Sequence, residues 1–138
     1  MKLVKTIPVL IFLAASLMAC TPAETGPVDE ITVEQVKQKL ADSTDVVLLD
    51  VRTEGEFYGE LGHLPGAMLI PIQELDGRIE ELDNFREKEI IVYCRSGNRS
   101  GVGAKMLIGH GFKAYNLLGG MIEWNEKYGR PDDNETQK

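Results

Sequence analysis

Reactive side chains concentrate in one short stretch, Cys94-Arg95-Ser96-Gly97-Asn98-Arg99-Ser100. Cysteine is a nucleophile only as the thiolate, and the residues around Cys94 lower the cost of that negative charge. An apolar run, Ile90-Ile91-Val92-Tyr93, leads straight into it and a helical stretch follows, so Cys94 falls between a strand end and a helix start. A helix start offers unpaired N–H groups and the positive end of the peptide dipole. Gly97 allows the backbone to curl so that successive amides point inward. Arg95 and Arg99 add fixed positive charge. Together these features predict a Cys94 pKa below the free-thiol value of about 8.5. The chemistry open to such a residue is covalent catalysis, in which the sulfur forms a bond and later gives it up.

Several elements must position this loop. Val46 to Leu49 is a continuous apolar run ending at Asp50, the pattern of a strand buried on both faces. Ala67 to Ile70 and Ala114 to Leu118 read as further strands. Between them lie helical stretches. Thr32 is an N-cap with Gln35 three residues on, followed by Val33, Val36 and Leu40 at helical spacing. Glu74 to Leu82 carries Leu75, Ile79 and Leu82; Gly101 to Ile108 and Met121 to Tyr128 complete the set, with Trp124 turned inward. Strands alternating with helices predict an α/β fold with an open, mainly parallel sheet covered by helices on both faces. Such sheets place their sites at the carboxyl ends of strands, where Asp50 and Cys94 both fall.

The chain has 138 residues, 43% hydrophobic and 27% charged, which suits one domain. Residues 1–19 read as an address. Lys2 and Lys5 precede the uncharged run Ile7–Ala19, the size of a signal h-region and short of the roughly 20 residues that a spanning helix needs. Leu17-Met18-Ala19-Cys20 resembles a bacterial lipoprotein signal, which implies lipid on Cys20 as the first mature residue and a membrane-anchored protein of the cell envelope, on the periplasmic face if there are two membranes. Lipid on Cys20 would leave Cys94 the only thiol of the mature chain. Residues 20–30, with Pro22, Gly26 and Pro27, read as a tether, 31–130 as the domain and 131–138 as a polar tail. The net charge is −7, and −9 without the two leader lysines, which argues against a nucleic-acid partner.

Four separated motifs together resemble the rhodanese-type sulfurtransferases. They are Leu48-Leu49-Asp50-Val51-Arg52 with Glu56-Phe57, Gly62-His63-Leu64-Pro65-Gly66-Ala67 with Ile70-Pro71, the Cys94 loop, and Leu118-Gly119-Gly120 followed by Trp124. The match runs in order over residues 31–130, and the chain is similar to the single-domain, exported rhodaneses. The resemblance implies a rhodanese-like sheet and a sulfurtransferase in which Cys94 takes the outer sulfur of a donor such as thiosulfate. The amides of Arg95, Ser96, Gly97, Asn98 and Arg99 would cradle the resulting persulfide, and cyanide or a thiol would remove the sulfur. It assigns Arg95 to steering the anionic donor, gives Arg99 a partly structural role, and has Asp50 and Arg52 brace the loop. No metal or organic cofactor is implied. The small-molecule donor and acceptor are unnamed, and a protein acceptor is open.

Two other readings stand beside this one. Cysteine phosphatases and arsenate reductases use a similar cradle with five residues between Cys and Arg, whereas four separate Cys94 from Arg99 here. An amide ring one residue shorter suits a single sulfur atom better than a tetrahedral oxyanion. A sulfur carrier or docking module without turnover would keep the same loop. His63, in a Gly/Pro loop with no serine or second ligand evident, reads as structural, and His110 reads as a helix-end residue.

Overall fold

A computed structural model describes residues 27–131. The leader, Cys20, most of the tether and nearly all of the polar tail lie outside the described residues. Five strands form one parallel sheet: β1 (Asp29–Ile31), β2 (Val46–Asp50), β3 (Met68–Leu69), β4 (Glu89–Tyr93) and β5 (Lys113–Leu117), in the order β1-β5-β4-β2-β3. The helices are α1 (Val33–Ala41), the single turn α2 (Glu54–Phe57), α3 (Asn98–Gly109) and α4 (Gly120–Tyr128), with a 3-10 segment over Asp76–Phe85. The predicted open α/β sheet with helices on both faces is the fold observed.

Alternation along the strands divides the core. Ile90, Val92 and Cys94 share one buried cluster with Val47, Leu49 and the α3 residues Ala104 and Leu107. Ile91 and Tyr93 share the other with Val33 and Val36 of α1 and Met121 and Trp124 of α4. With both faces covered, the central strands contain long apolar runs, as parallel strands must.

From β2 the chain steps outward to β3, then returns to lay β4 on the opposite side of β2 and continues to β5. The switch point therefore lies between β2 and β4, and their carboxyl ends are in register, Asp50 opposite Tyr93. Open α/β sheets form their crevice there.

Two local readings change. β1 begins inside the segment read as tether, because Asp29 to Ile31 adds a strand to β5 and the Ile31 carbonyl accepts from Leu118 N–H at 2.9 Å. Three residues with one buried side chain leave no periodic trace. The Glu74–Leu82 segment forms 3-10 turns interrupted at Arg78 (φ −120°, ψ 16°), although Leu82 is buried as its spacing predicts. The α1 capping box is observed: Thr32 Oγ1 accepts from Gln35 N–H at 3.3 Å, and Gln35 Oε1 from Thr32 N–H at 2.9 Å.

Candidate active site

β4 ends at Tyr93, and Cys94 is the first residue beyond it, with only 1% of its surface exposed. The loop then turns sharply. Gly97 has φ +99°, a left-handed conformation that strains any residue with a Cβ. It caps α3, whose first residues are Asn98 and Arg99. The turn brings Gly97 N–H to 3.1 Å from Cys94 Sγ, and the first turn of α3 brings Ser100 Oγ to 3.3 Å. Burial pushes the Cys94 thiol up, but hydrogen bonds from the Ser100 hydroxyl and from the amides of Ser100, Ser96 and Gly97 reverse this, so its pKa lies below the ordinary value.

α4 holds the loop from behind. Met121 N–H donates to the Cys94 carbonyl at 2.9 Å and Ile122 N–H to the Arg95 carbonyl at 3.1 Å. Gly120 (φ +56°) makes this approach possible, since a Cβ there would lie 2.4 Å from the Cys94 carbonyl oxygen.

Arg99 extends sideways to Glu56 in a two-pronged ion pair, Nη1 to Oε2 at 2.8 Å and Nη2 to Oε1 at 2.6 Å. Glu56 also closes a capping box on α2, accepting from Thr53 N–H at 3.1 Å. The Arg99 guanidinium, aided by the Thr53 donors and opposed by partial burial, holds the Glu56 carboxyl at about 2. Arg99 thus ties α3 to α2.

Asp50 and Arg52 are buried, at 0% and 1% exposure, and paired through Nη2–Oδ2 at 2.6 Å. Arg52 Nη2 also donates to the Gly62 carbonyl at 2.7 Å. The brace therefore acts on the Gly62 loop, and among the described residues no hydrogen bond links the pair to the Cys94 loop. The Tyr93 hydroxyl supports the same second loop, accepting from Leu64 N–H at 3.1 Å.

Arg95, Ser96 and Asn98 are exposed. A cavity of about 370 Å³ opens at this end of the sheet, lined by Arg52, Glu56, Glu60 and Arg95 among others. Arg52 and Glu56 are already engaged, whereas Arg95 and Glu60 take part in no ion pair among the described residues. His63 donates from Nδ1 to the Phe57 carbonyl (3.0 Å) and stacks on the Phe57 ring, which fits the structural reading.

Sequence reasoning missed two residues of the hydrogen-bond chain that ends on the sulfur. Ser100 closes the loop but was assigned no part in the cradle, and Asn116 receives the Ser100 hydroxyl at 2.7 Å. A signal existed for Asn116, a lone amide between Tyr115 and Leu117 in the run Ala114 to Leu118. The Thr53-x-x-Glu56 capping pattern was equally visible.

The chain matches the family description Rhodanese-like domain over residues 32–127. It is 36% identical over 105 residues to a sulfurtransferase of Allochromatium vinosum, covering 75% of this chain and 94% of that protein. Among solved structures it is similar to a rhodanese-like domain protein from Staphylococcus aureus (TM-score 0.64, 31% identity, 70% of this chain and 91% of that one). It is also similar to a rhodanese-related protein from Thermoplasma volcanium (TM-score 0.65, 27% identity, 72% and 93%). With the matched region containing every element that builds the Cys94 loop, the chain belongs to the rhodanese-like domain family.

Proposed function

We propose that this protein is a sulfurtransferase that carries sulfane sulfur as a Cys94 persulfide. The observation that supports this most is the convergence of Gly97 N–H and the Ser100 hydroxyl on a buried sulfur inside a ring of loop amides. Donors aimed at one atom, in a site with little water, stabilise an anion there without reorganising. They serve the thiolate and the terminal persulfide sulfur alike.

With thiosulfate, the Cys94 thiolate attacks the outer sulfur. The new S–S bond forms as the thiosulfate S–S bond breaks, and sulfite leaves with the electron pair. Cyanide then attacks the outer persulfide sulfur, thiocyanate departs and the thiolate returns. Arg95, exposed at the cavity rim and without an ion partner among the described residues, attracts the anionic donor. Arg99, held by Glu56, keeps the loop against α2. The four residues between Cys94 and Arg99 support sulfur transfer over hydrolysis of an oxyanion ester. Intact mass spectrometry tests the reading. Protein treated with thiosulfate alone should gain one sulfur atom, and cyanide should remove it as thiocyanate. No gain from thiosulfate, a persulfide or polysulfide would sink it.

The leader supports a location. We propose export and lipid attachment at Cys20, with residues 20–28 bridging membrane and domain. Cys20→Ala should accumulate unprocessed precursor without lipid label. Normal processing and membrane retention of that variant would overturn the assignment.

A further inference from the structure

The Ser100 hydroxyl has one proton and two acceptors. Its oxygen lies 2.7 Å from Asn116 Oδ1 and 3.3 Å from Cys94 Sγ, and the three groups are buried together. One proton cannot serve both at once. Asn116 lies on β5 two residues beyond Ala114, which belongs to the same buried cluster as Cys94. The neighbouring helix makes room for it: a Cβ on Gly101 would come within 3.4 Å of Asn116 Nδ2. A carboxamide presents an acceptor and a donor of nearly equal size, so turning it over exchanges one for the other at little steric cost.

We propose that Asn116 is a positioning residue for Cys94 that works through Ser100. While the sulfur is a thiol, the amide oxygen takes the hydroxyl proton. When the sulfur becomes an anion, the amide turns to donate to Ser100 Oγ, and the hydroxyl proton swings to Sγ. Asn116 touches neither the reacting sulfur nor its substrate in this scheme; it decides where the Ser100 proton points. Such a relay strengthens the donor at the sulfur only when charge is present, as chained hydrogen bonds polarise one another.

The charged surroundings are otherwise accounted for. α3 contributes Arg99, paired with Glu56 of α2, and the end of β2 and the turn after it contribute Asp50 and Arg52, paired with each other. The loop adds Arg95. β5 carries its only charged side chain, Lys113, at its opposite end, while its Tyr115 faces the other cluster. α4 places Glu123 against Gly119, paired with Lys127.

The proposal rests on Cys94 being the reacting atom, but it is read through thiol alkylation, so it can fail while sulfur transfer stands. The experiment follows iodoacetamide labelling of Cys94 in the full chain against pH, resolved by peptide mass spectrometry. Asn116→Asp offers only acceptors when ionised and holds the Ser100 proton away from sulfur. Labelling on the acid limb should slow by about tenfold, the equivalent of one pH unit, with the limiting rate at high pH retained. In a Ser100→Ala background the same substitution should change labelling by less than about twofold, the additivity expected of sites that no longer share a partner. Asn116→Ala, which removes acceptor and back-donor together, should fall between wild type and Asn116→Asp and should also lose its effect without Ser100. Equal slowing with and without Ser100 would mean that the aspartate acts through space and would overturn the relay. Folded Asn116→Asp and Asn116→Ala proteins with the wild-type pH profile would reduce Asn116 to packing.

Discussion

Cys94→Ser is expected to leave a folded protein that takes up no sulfur at all. Serine fits the volume, and Gly97 N–H and Ser100 Oγ can still reach its hydroxyl, so the loop has no reason to open. What disappears is a soft nucleophile whose pKa lies below the ordinary thiol value. Treatment with thiosulfate should add one sulfur to the wild type and none to the variant, while circular dichroism and thermal unfolding stay close to wild type. The same hydrogen bonds set the pH behaviour of the wild type. They lower the Cys94 pKa against burial, so the thiolate persists to lower pH than in a free thiol, and alkylation should remain fast below about pH 8.5. An alkylation midpoint at or above the free-thiol value would mean that burial dominates. A folded variant that still acquired cyanide-labile sulfur would place the acceptor atom elsewhere.

Arg52→Met is expected to be the most damaging change away from the nucleophile. It removes one member of an ion pair whose two side chains are 0% and 1% exposed. Asp50 would keep one backbone donor, the Arg52 N–H at 2.9 Å, and lose the guanidinium. Stranding a buried charge in this way costs about 3–5 kcal/mol. The Gly62 carbonyl loses its donor too. Urea unfolding followed by circular dichroism should show a midpoint far below wild type, and Asp50→Asn combined with Arg52→Met should recover part of the loss by removing the charge itself. A single-variant loss under about 1 kcal/mol would mean that Asp50 reaches water, contrary to its burial.

The parts of this molecule legible in its sequence share a physical cause. Strands buried on both faces declare themselves as unbroken apolar runs, so Val46–Leu49 and Ile90–Tyr93 placed β2 and β4, and with them Asp50 and Cys94. The cradle was legible because a glycine must stand where φ is +99° and because helix amides face whatever precedes them. Contacts across the sheet were not legible. Nothing local to Asn116 says that it meets a hydroxyl sixteen residues earlier, and nothing local to Glu56 says that Arg99 will reach it. Asp50 and Arg52 were expected to brace the Cys94 loop; they form a hydrogen-bonded ion pair that reaches the Gly62 loop, because Arg52 points along the carboxyl edge toward the segment between α2 and β3. β1 escaped notice because its strand character comes from pairing with β5 and not from its own three residues.

The bonds from α4 to the carbonyls of Cys94 and Arg95 have a consequence in time. A chain is made from its amino end at roughly 5–20 residues per second, so the thiol emerges a few seconds before Met121 and Ile122. The order of strands delays matters further, since β1, made first, has only β5 to pair with. Until β5 and α4 arrive, the loop lacks the two amides that fix its carbonyls and the strand that carries Asn116. The loop around a nascent Cys94 is therefore held from one side only, and its carbonyls are fixed when the carboxyl-terminal elements close behind it.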